Sequence, residues 1–146
     1  MKSTSPDQTF NLGEMLARDL AAGDVVLLYG GLGAGKTLLT KGILSGLDFD
    51  VDEVTSPSFA LVHLHKTDKF DVYHIDLWRV DDKNAADSVG LDEIIEDKNA
   101  VTIIEWAERL GDTNIENNIV KVFIDGEGDE PRTIRIEQVA AAHTSR

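Results

Sequence analysis

The chain has 146 residues, with 14 Lys plus Arg against 27 Asp plus Glu, so its formal net charge is −13. At 42% hydrophobic and 28% charged it has the composition of a globular protein, and its length fits one domain with a buried core. The charge excludes a free-standing, sequence-blind nucleic-acid binder, because phosphate backbones and anionic lipid repel it and no run of Lys or Arg offsets the repulsion. Cysteine is absent. That excludes disulfides, thiol nucleophiles and Cys-built metal sites, and it fits a reducing compartment. Residues 1–10 lack the apolar core of a signal peptide. The longest apolar run, Val25–Tyr29, is too short to span a bilayer. A cytoplasmic location without membrane contact is expected.

The predicted elements run as follows. Leu12, Met15, Leu16 and Leu20 recur at helical spacing and predict a first helix over about Leu12–Ala22, capped by Thr9 or Asn11 and ended by Gly23. Val25–Tyr29 is continuously apolar, as in a strand buried on both faces. A glycine-rich turn follows, and Thr37–Leu47 reads as a second helix. Ser56-Pro57 punctuates a loop. Phe59–His65 and Phe70–Leu77 predict an antiparallel hairpin. Asn84–Asp97 reads as two short helical pieces broken near Gly90. Val101–Ile104 is another buried strand. Ile119–Ile124 and Thr133–Ile136 predict a closing hairpin, and residues 138–146 a frayed tail. Helices interleaved with buried strands predict an α/β layered domain, with a mixed β-sheet flanked by helices, over residues 1–146.

Gly30-Gly31-Leu32-Gly33-Ala34-Gly35-Lys36-Thr37 matches the phosphate-loop pattern G-x-x-x-x-G-K-[ST] in full, with a strand before it and a helix after it. Glycines let backbone N–H groups wrap a phosphate, and the helix N-terminus adds partial positive charge. Lys36 would reach the β- and γ-phosphates, and the Thr37 hydroxyl would ligate Mg²⁺. Such a site needs an acid at a neighbouring strand end. Glu105 ends one apolar run and Asp76 ends another, so both are candidates. The hydroxyl-rich loop Thr55-Ser56-Pro57-Ser58 is either a γ-phosphate switch or a capping turn. Trp106, beside Glu105, either gates the site or packs. His63 and His65 share one strand face without a third ligand at useful spacing, so a metal other than Mg²⁺ is not expected.

Read in order, GGLGAGKT, TSPSF, YHIDLWR, GLDEI and IIEWAER closely resemble the TsaE family, the small ATPases of bacterial tRNA threonylcarbamoyladenosine synthesis. The resemblance spans about Thr9 to Arg135. It implies a compact α/β P-loop domain that binds ATP with Mg²⁺ and hydrolyses it weakly alone. It also implies that the chain joins the TsaD–TsaB heterodimer, whose TsaD subunit performs the transfer to adenosine 37, so tRNA is met only through the complex. Carried over residue by residue, Gly31, Leu32, Gly33, Ala34, Gly35, Lys36 and Thr37 match the phosphate loop. Glu105 would be a magnesium ligand, and Asp76 would orient water or magnesium. Glu108 matches a nucleotide-contacting position, and Thr9 and Arg132 resemble contacts near the base. Ser56, Ser58 and Trp106 are the switch candidates. Ser58 replaces the usual Thr and keeps the hydroxyl; Trp78 replaces the common Tyr and drops the phenol.

Two other readings compete. A small-molecule P-loop kinase would carry an arginine-bearing lid, but Arg18, Arg79, Arg109, Arg132, Arg135 and Arg146 are scattered. A nucleotide-gated binding module would differ from an ATPase only in never releasing phosphate.

Overall fold

The computed structural model describes residues 2–31, 33–48, 62–67, 69–77, 91–110, 115–126 and 128–140. Its elements are β1 (Lys2–Ser3), α1 (Pro6–Ala17), β2 (Val25–Gly30), α2 (Lys36–Gly46), β3 (Val62–Lys66) and β4 (Asp71–Asp76). They continue with α3 (Leu91–Ile95), β5 (Ala100–Glu105), a 3-10 helix (Ala107–Leu110), β6 (Ile119–Asp125) and β7 (Arg132–Val139). The strands form a seven-stranded mixed sheet in the order β1-β7-β6-β2-β5-β4-β3. The inner strands β6, β2, β5 and β4 run parallel, while β3, β7 and β1 pair antiparallel to their neighbours. The architecture is α/β, as the alternation of patterns predicts.

Strand alternation divides the core in two. Val26, Leu28, Val72, Val101, Ile103, Val122 and Ile124 pack with Leu39, Ile43 and Leu44 of α2. Val25, Leu27, Ile75 and Ile104 pack with Leu91 and Ile95 of α3 and with Ala107 and Leu110. Strand β5 is buried at every position, as a central parallel strand covered on both sides must be.

Helix α1 starts six residues before the predicted Leu12 and ends before Ala22. The reason is local chemistry rather than hydrophobic period. Ser5 has extended backbone, its Oγ accepts from the Gln8 N–H at 3.2 Å, and Pro6 opens the helix with its φ already set. Thr9 therefore lies inside the helix rather than capping it. Strand β1, absent from the prediction, is two residues that pair with Thr133 and Arg132. At the other end, Gln138 and Val139 pair with Val120 and Ile119, so the sheet takes in the first residues of the expected tail. The helical piece expected before Gly90 lies outside the described residues.

Helices α1 and α2 meet through glycines. A Cβ on Gly42 would stand 2.1 Å from the Phe10 carbonyl oxygen, and one on Gly13 2.4 Å from the Leu39 oxygen. This close crossing brings the start of α1 alongside the glycine-rich turn that opens α2.

Candidate functional site

The carboxyl ends of the parallel strands converge on the head of α2, the position where ligands collect in open α/β sheets. Between β2 and α2 the chain turns through Gly33 (φ +77°) and Gly35 (φ +115°). Both values are left-handed, and glycine adopts them without a Cβ penalty. A Cβ on Gly31 or Gly33 would meet nothing within 4 Å, so the space beside the turn is open.

Lys36 is the first residue of α2 and is only 5% exposed. Its ammonium donates to the carbonyl oxygens of Gly30 (2.7 Å) and Gly31 (2.8 Å) and lies 3.8 Å from the centroid of the Trp106 ring. Burial holds its pKa below the ordinary lysine value, against the opposing pull of Glu105, Glu108 and Asp76. One cation is thus set among three carboxylates.

Asp76 and Glu105 are register partners at the ends of β4 and β5, so the two predicted acids stand side by side. Glu105 is 2% exposed. Its carboxylate accepts from the Thr37 hydroxyl, at 3.0 Å to Oε1 and 3.3 Å to Oε2. On its other side it meets Nε2 of His74. Glu108, on the 3-10 helix, accepts from the Gly30 N–H at 3.0 Å and so ties that helix to the end of β2.

Trp106 follows Glu105 with φ +60°. A bulky residue in this region is a strained outlier, and such outliers cluster at ligand sites and switches. Asp48 also has a positive φ (64°), but it follows α2 and closes the helix by donating to the Ser45 oxygen at 2.9 Å.

Beside the turn lies a cavity of about 380 Å³. It is lined by Ser3, Ser5 and Thr9, by Gly33, Ala34 and Gly35, and by Gly128, Asp129, Glu130 and Arg132. The Thr9 hydroxyl is 2.7 Å from that of Ser3. Arg132 reaches across the cavity wall. Its guanidinium donates to the oxygens of Ala34 (3.0 Å), Gly33 (3.2 Å) and Gly128 (3.0 Å), and also to that of Glu130. Arg135 instead lies 4.3 Å from the Phe123 ring centroid and pairs with Glu137 at 3.2 Å.

The structure therefore brings Lys36, Thr37, Asp76, Glu105, Glu108 and Trp106 to one place, and Thr9, Gly33, Ala34, Gly35 and Arg132 to the adjoining cavity. Leu32, Ser56, Ser58 and Trp78 lie outside the described residues. His74 stands in the YHIDLWR motif, but the sequence alone gives it no role. Its signal is the spacing in His74-Ile75-Asp76, which puts His74 and Asp76 on one face of β4.

The profile of the family described as "Threonylcarbamoyl adenosine biosynthesis protein TsaE" matches residues 3–134. The chain belongs to the TsaE family. A Mycobacterium tuberculosis protein named tRNA threonylcarbamoyladenosine biosynthesis protein TsaE is 41% identical over 115 residues, covering 73% of this chain and 67% of that one. The Bacillus subtilis protein of the same name is 30% identical over 138 residues, covering 94% of this chain and 84% of that one. The crystal structure of Bacillus subtilis YdiB superposes with a TM-score of 0.75 at 27% identity, over 97% of this chain and 84% of that chain. TsaE membership implies nucleotide binding, and the glycine-rich turn with its buried lysine is the element of this fold that suits it.

Proposed function

We propose that this TsaE-family chain is a single-domain, cytoplasmic, Mg²⁺-dependent ATPase. It serves tRNA threonylcarbamoyladenosine formation by acting on the TsaD–TsaB heterodimer. The relatives' names support the pathway. The observation that carries the ATPase reading is the Thr37 hydroxyl hydrogen-bonded to Glu105 at the head of α2, next to Lys36 and to a glycine turn with open space at Gly31 and Gly33.

The donor set fits magnesium. A hydroxyl and two carboxylates are hard oxygen donors, and Mg²⁺ is usually held by one or two protein oxygens together with substrate phosphates. Among the described residues, no group of three or more His, Cys, Asp or Glu could hold a metal ion unaided, so this ion would arrive with the nucleotide. When bound, it would neutralise charge on the β- and γ-phosphates. Thr37 would hold it, with Glu105 and Asp76 behind.

The chain's own residues supply the rest. Lys36 exchanges the Gly30 and Gly31 carbonyls for phosphate oxygens. The amides of Gly31 to Lys36 and the head of α2 surround the phosphates. Asp76 accepts a hydrogen bond from the attacking water and orients it. The cavity beside Thr9 and Arg132 takes the nucleoside, and its size falls within the ordinary range for small ligands. Catalysis then rests on positioning and charge. Arg132 and Arg135 are engaged elsewhere, and hydrolysis without an arginine on the γ-phosphate is slow, as the partner-dependent turnover proposed here requires. The chain's charge of −13 keeps tRNA off its surface, so contact with RNA runs through the complex.

The test is phosphate release with and without purified TsaD–TsaB, for the wild type and for Lys36→Ala, Asp76→Ala and Glu105→Ala. Slow turnover that rises with the partners and falls in all three variants is expected. An unchanged rate on adding the partners, or turnover at tens per second without them, overturns the reading.

A further inference from the structure

His74 is fully buried on β4, two residues before Asp76 and opposite Ile103. Its Nε2 meets Oε2 of Glu105. A carboxylate only accepts, so Nε2 carries a proton and donates it to Oε2. The ring's Nδ1 is buried and has no hydrogen-bond partner among the described residues. The His65 ring lies alongside, centroid to centroid 6.2 Å. A side chain that only filled this space would do better without ring nitrogens, because burying an unpaired polar atom is unfavourable. Among the described residues, the one hydrogen bond the imidazole makes is to Glu105.

The carboxylate is thereby gripped from two elements. The α2 hydroxyl of Thr37 lies nearest Oε1, and the β4 imidazole takes Oε2. Thr37 is within reach of both oxygens, at 3.0 Å to Oε1 and 3.3 Å to Oε2. The imidazole on Oε2 fixes the carboxylate's rotation about its last bond and leaves Oε1 as the oxygen nearer Thr37.

We propose that His74 is a positioning residue for Glu105. It engages Oε2 and so presents Oε1 next to Thr37 as the oxygen available to a divalent cation. This rests on the reading of Thr37 and Glu105 as the cation site, and it adds the group that orients that site. Outer partners of metal-ligating groups act in this way, and losing one typically weakens metal affinity by about 10–100-fold.

The test uses the full chain with ADP, and Mn²⁺ in place of Mg²⁺. Free Mn²⁺ is read by electron paramagnetic resonance, and ADP affinity in EDTA is read by calorimetry. His74→Leu keeps bulk and removes the donor; His74→Gln puts an amide N–H near the Nε2 position. His74→Leu is expected to weaken Mn²⁺ binding about tenfold or more, while His74→Gln stays within about threefold of wild type. ADP affinity in EDTA should be the same in all three, because the loop and Lys36 hold the phosphates.

If His74→Leu fails to fold, His74→Asn replaces it, since its shorter amide cannot reach Glu105. Unchanged Mn²⁺ affinity in a folded Leu or Asn variant overturns the proposal. So does an equal loss of ADP affinity in EDTA, which would mark a general structural role, or a failure of Gln to rescue. A wild type that binds neither ADP nor Mn²⁺ with ADP overturns instead the nucleotide-site reading beneath it.

Discussion

Lys36 holds its ammonium 3.8 Å from the centre of the Trp106 ring while donating to two loop carbonyls. The indole face is the best aromatic partner for a cation, contributing about 0.5–1 kcal/mol at exposed sites and about 2 when desolvated. That attraction helps hold Trp106 at its strained φ of +60°. A phosphate that takes Lys36 must draw the ammonium off both the carbonyls and the ring. Adding ADP or ATP should therefore change the indole emission. Of the two tryptophans, the signal should vanish in Trp106→Phe and persist in Trp78→Phe. The opposite pattern would mean that Lys36 keeps its place when nucleotide binds.

The glycines divide into two kinds, and the division predicts different losses. Gly42 sits where a Cβ would overlap the Phe10 carbonyl at 2.1 Å, backbone against backbone. Gly42→Ala gains helix propensity, but it must push α1 and α2 apart. A net loss of about 2 kcal/mol is expected, within the usual range for overpacking. Urea denaturation should show a lower midpoint with an unchanged slope. Gly31→Ala meets nothing within 4 Å. It should leave the midpoint alone and weaken nucleotide binding, because the added methyl stands where a phosphate would approach. Equal stability losses in the two variants would refute this division.

His65 is 6% exposed, and its pKa is lowered from 6.5 to about 4, first by burial and then by the neighbouring His74 and His63. The folded state therefore keeps His65 neutral over a range where the unfolded chain takes up a proton. Its contribution to stability is complete above about pH 6.5 and is lost as pH falls toward about 4. The slope approaches one proton, about 1.4 kcal/mol per pH unit. Denaturation curves of wild type and His65→Gln between pH 7 and pH 4.5 should converge as pH falls. Parallel curves would show that His65 titrates alike in both states.

Much of this site is legible in the sequence because its parts are local. The turn between Val25–Tyr29 and the second helix is a contiguous motif, and Asp76 and Glu105 each follow a short β-rich run that reads as a strand. Their side-by-side placement was not legible, since it depends on β4 pairing with β5 in a particular register. The start of α1 is not legible from the hydrophobic stripe, which begins at Leu12, because Ser5, Pro6 and Gln8 start the helix through a hydrogen bond and a fixed φ. Strand β1 carries no pattern of its own; two residues become a strand only because β7 offers an edge. His74 looks like any strand histidine until Glu105, 31 residues away in sequence, is beside it.

Arg132 raises a sharper question, because an arginine beside a nucleoside cavity invites a role in charge attraction. Its geometry points to another. The guanidinium donates to Gly33 and Ala34 on the turn and to Gly128 and Glu130 on the β6–β7 connection, so it braces one cavity wall against the other. That task needs the planar fork rather than the charge, and lysine lacks the fork. Arg132→Lys should then behave like Arg132→Ala. Both should lose about 1–2 kcal/mol of stability, as expected for a charged donor to backbone carbonyls in a half-buried setting. Both should also weaken ADP binding about tenfold, since 1.4 kcal/mol of lost preorganisation is a factor of ten. Calorimetric unfolding and ADP titration of the two variants decide it. If Lys restores ADP affinity while stability stays low, charge rather than bracing is what Arg132 provides to the site.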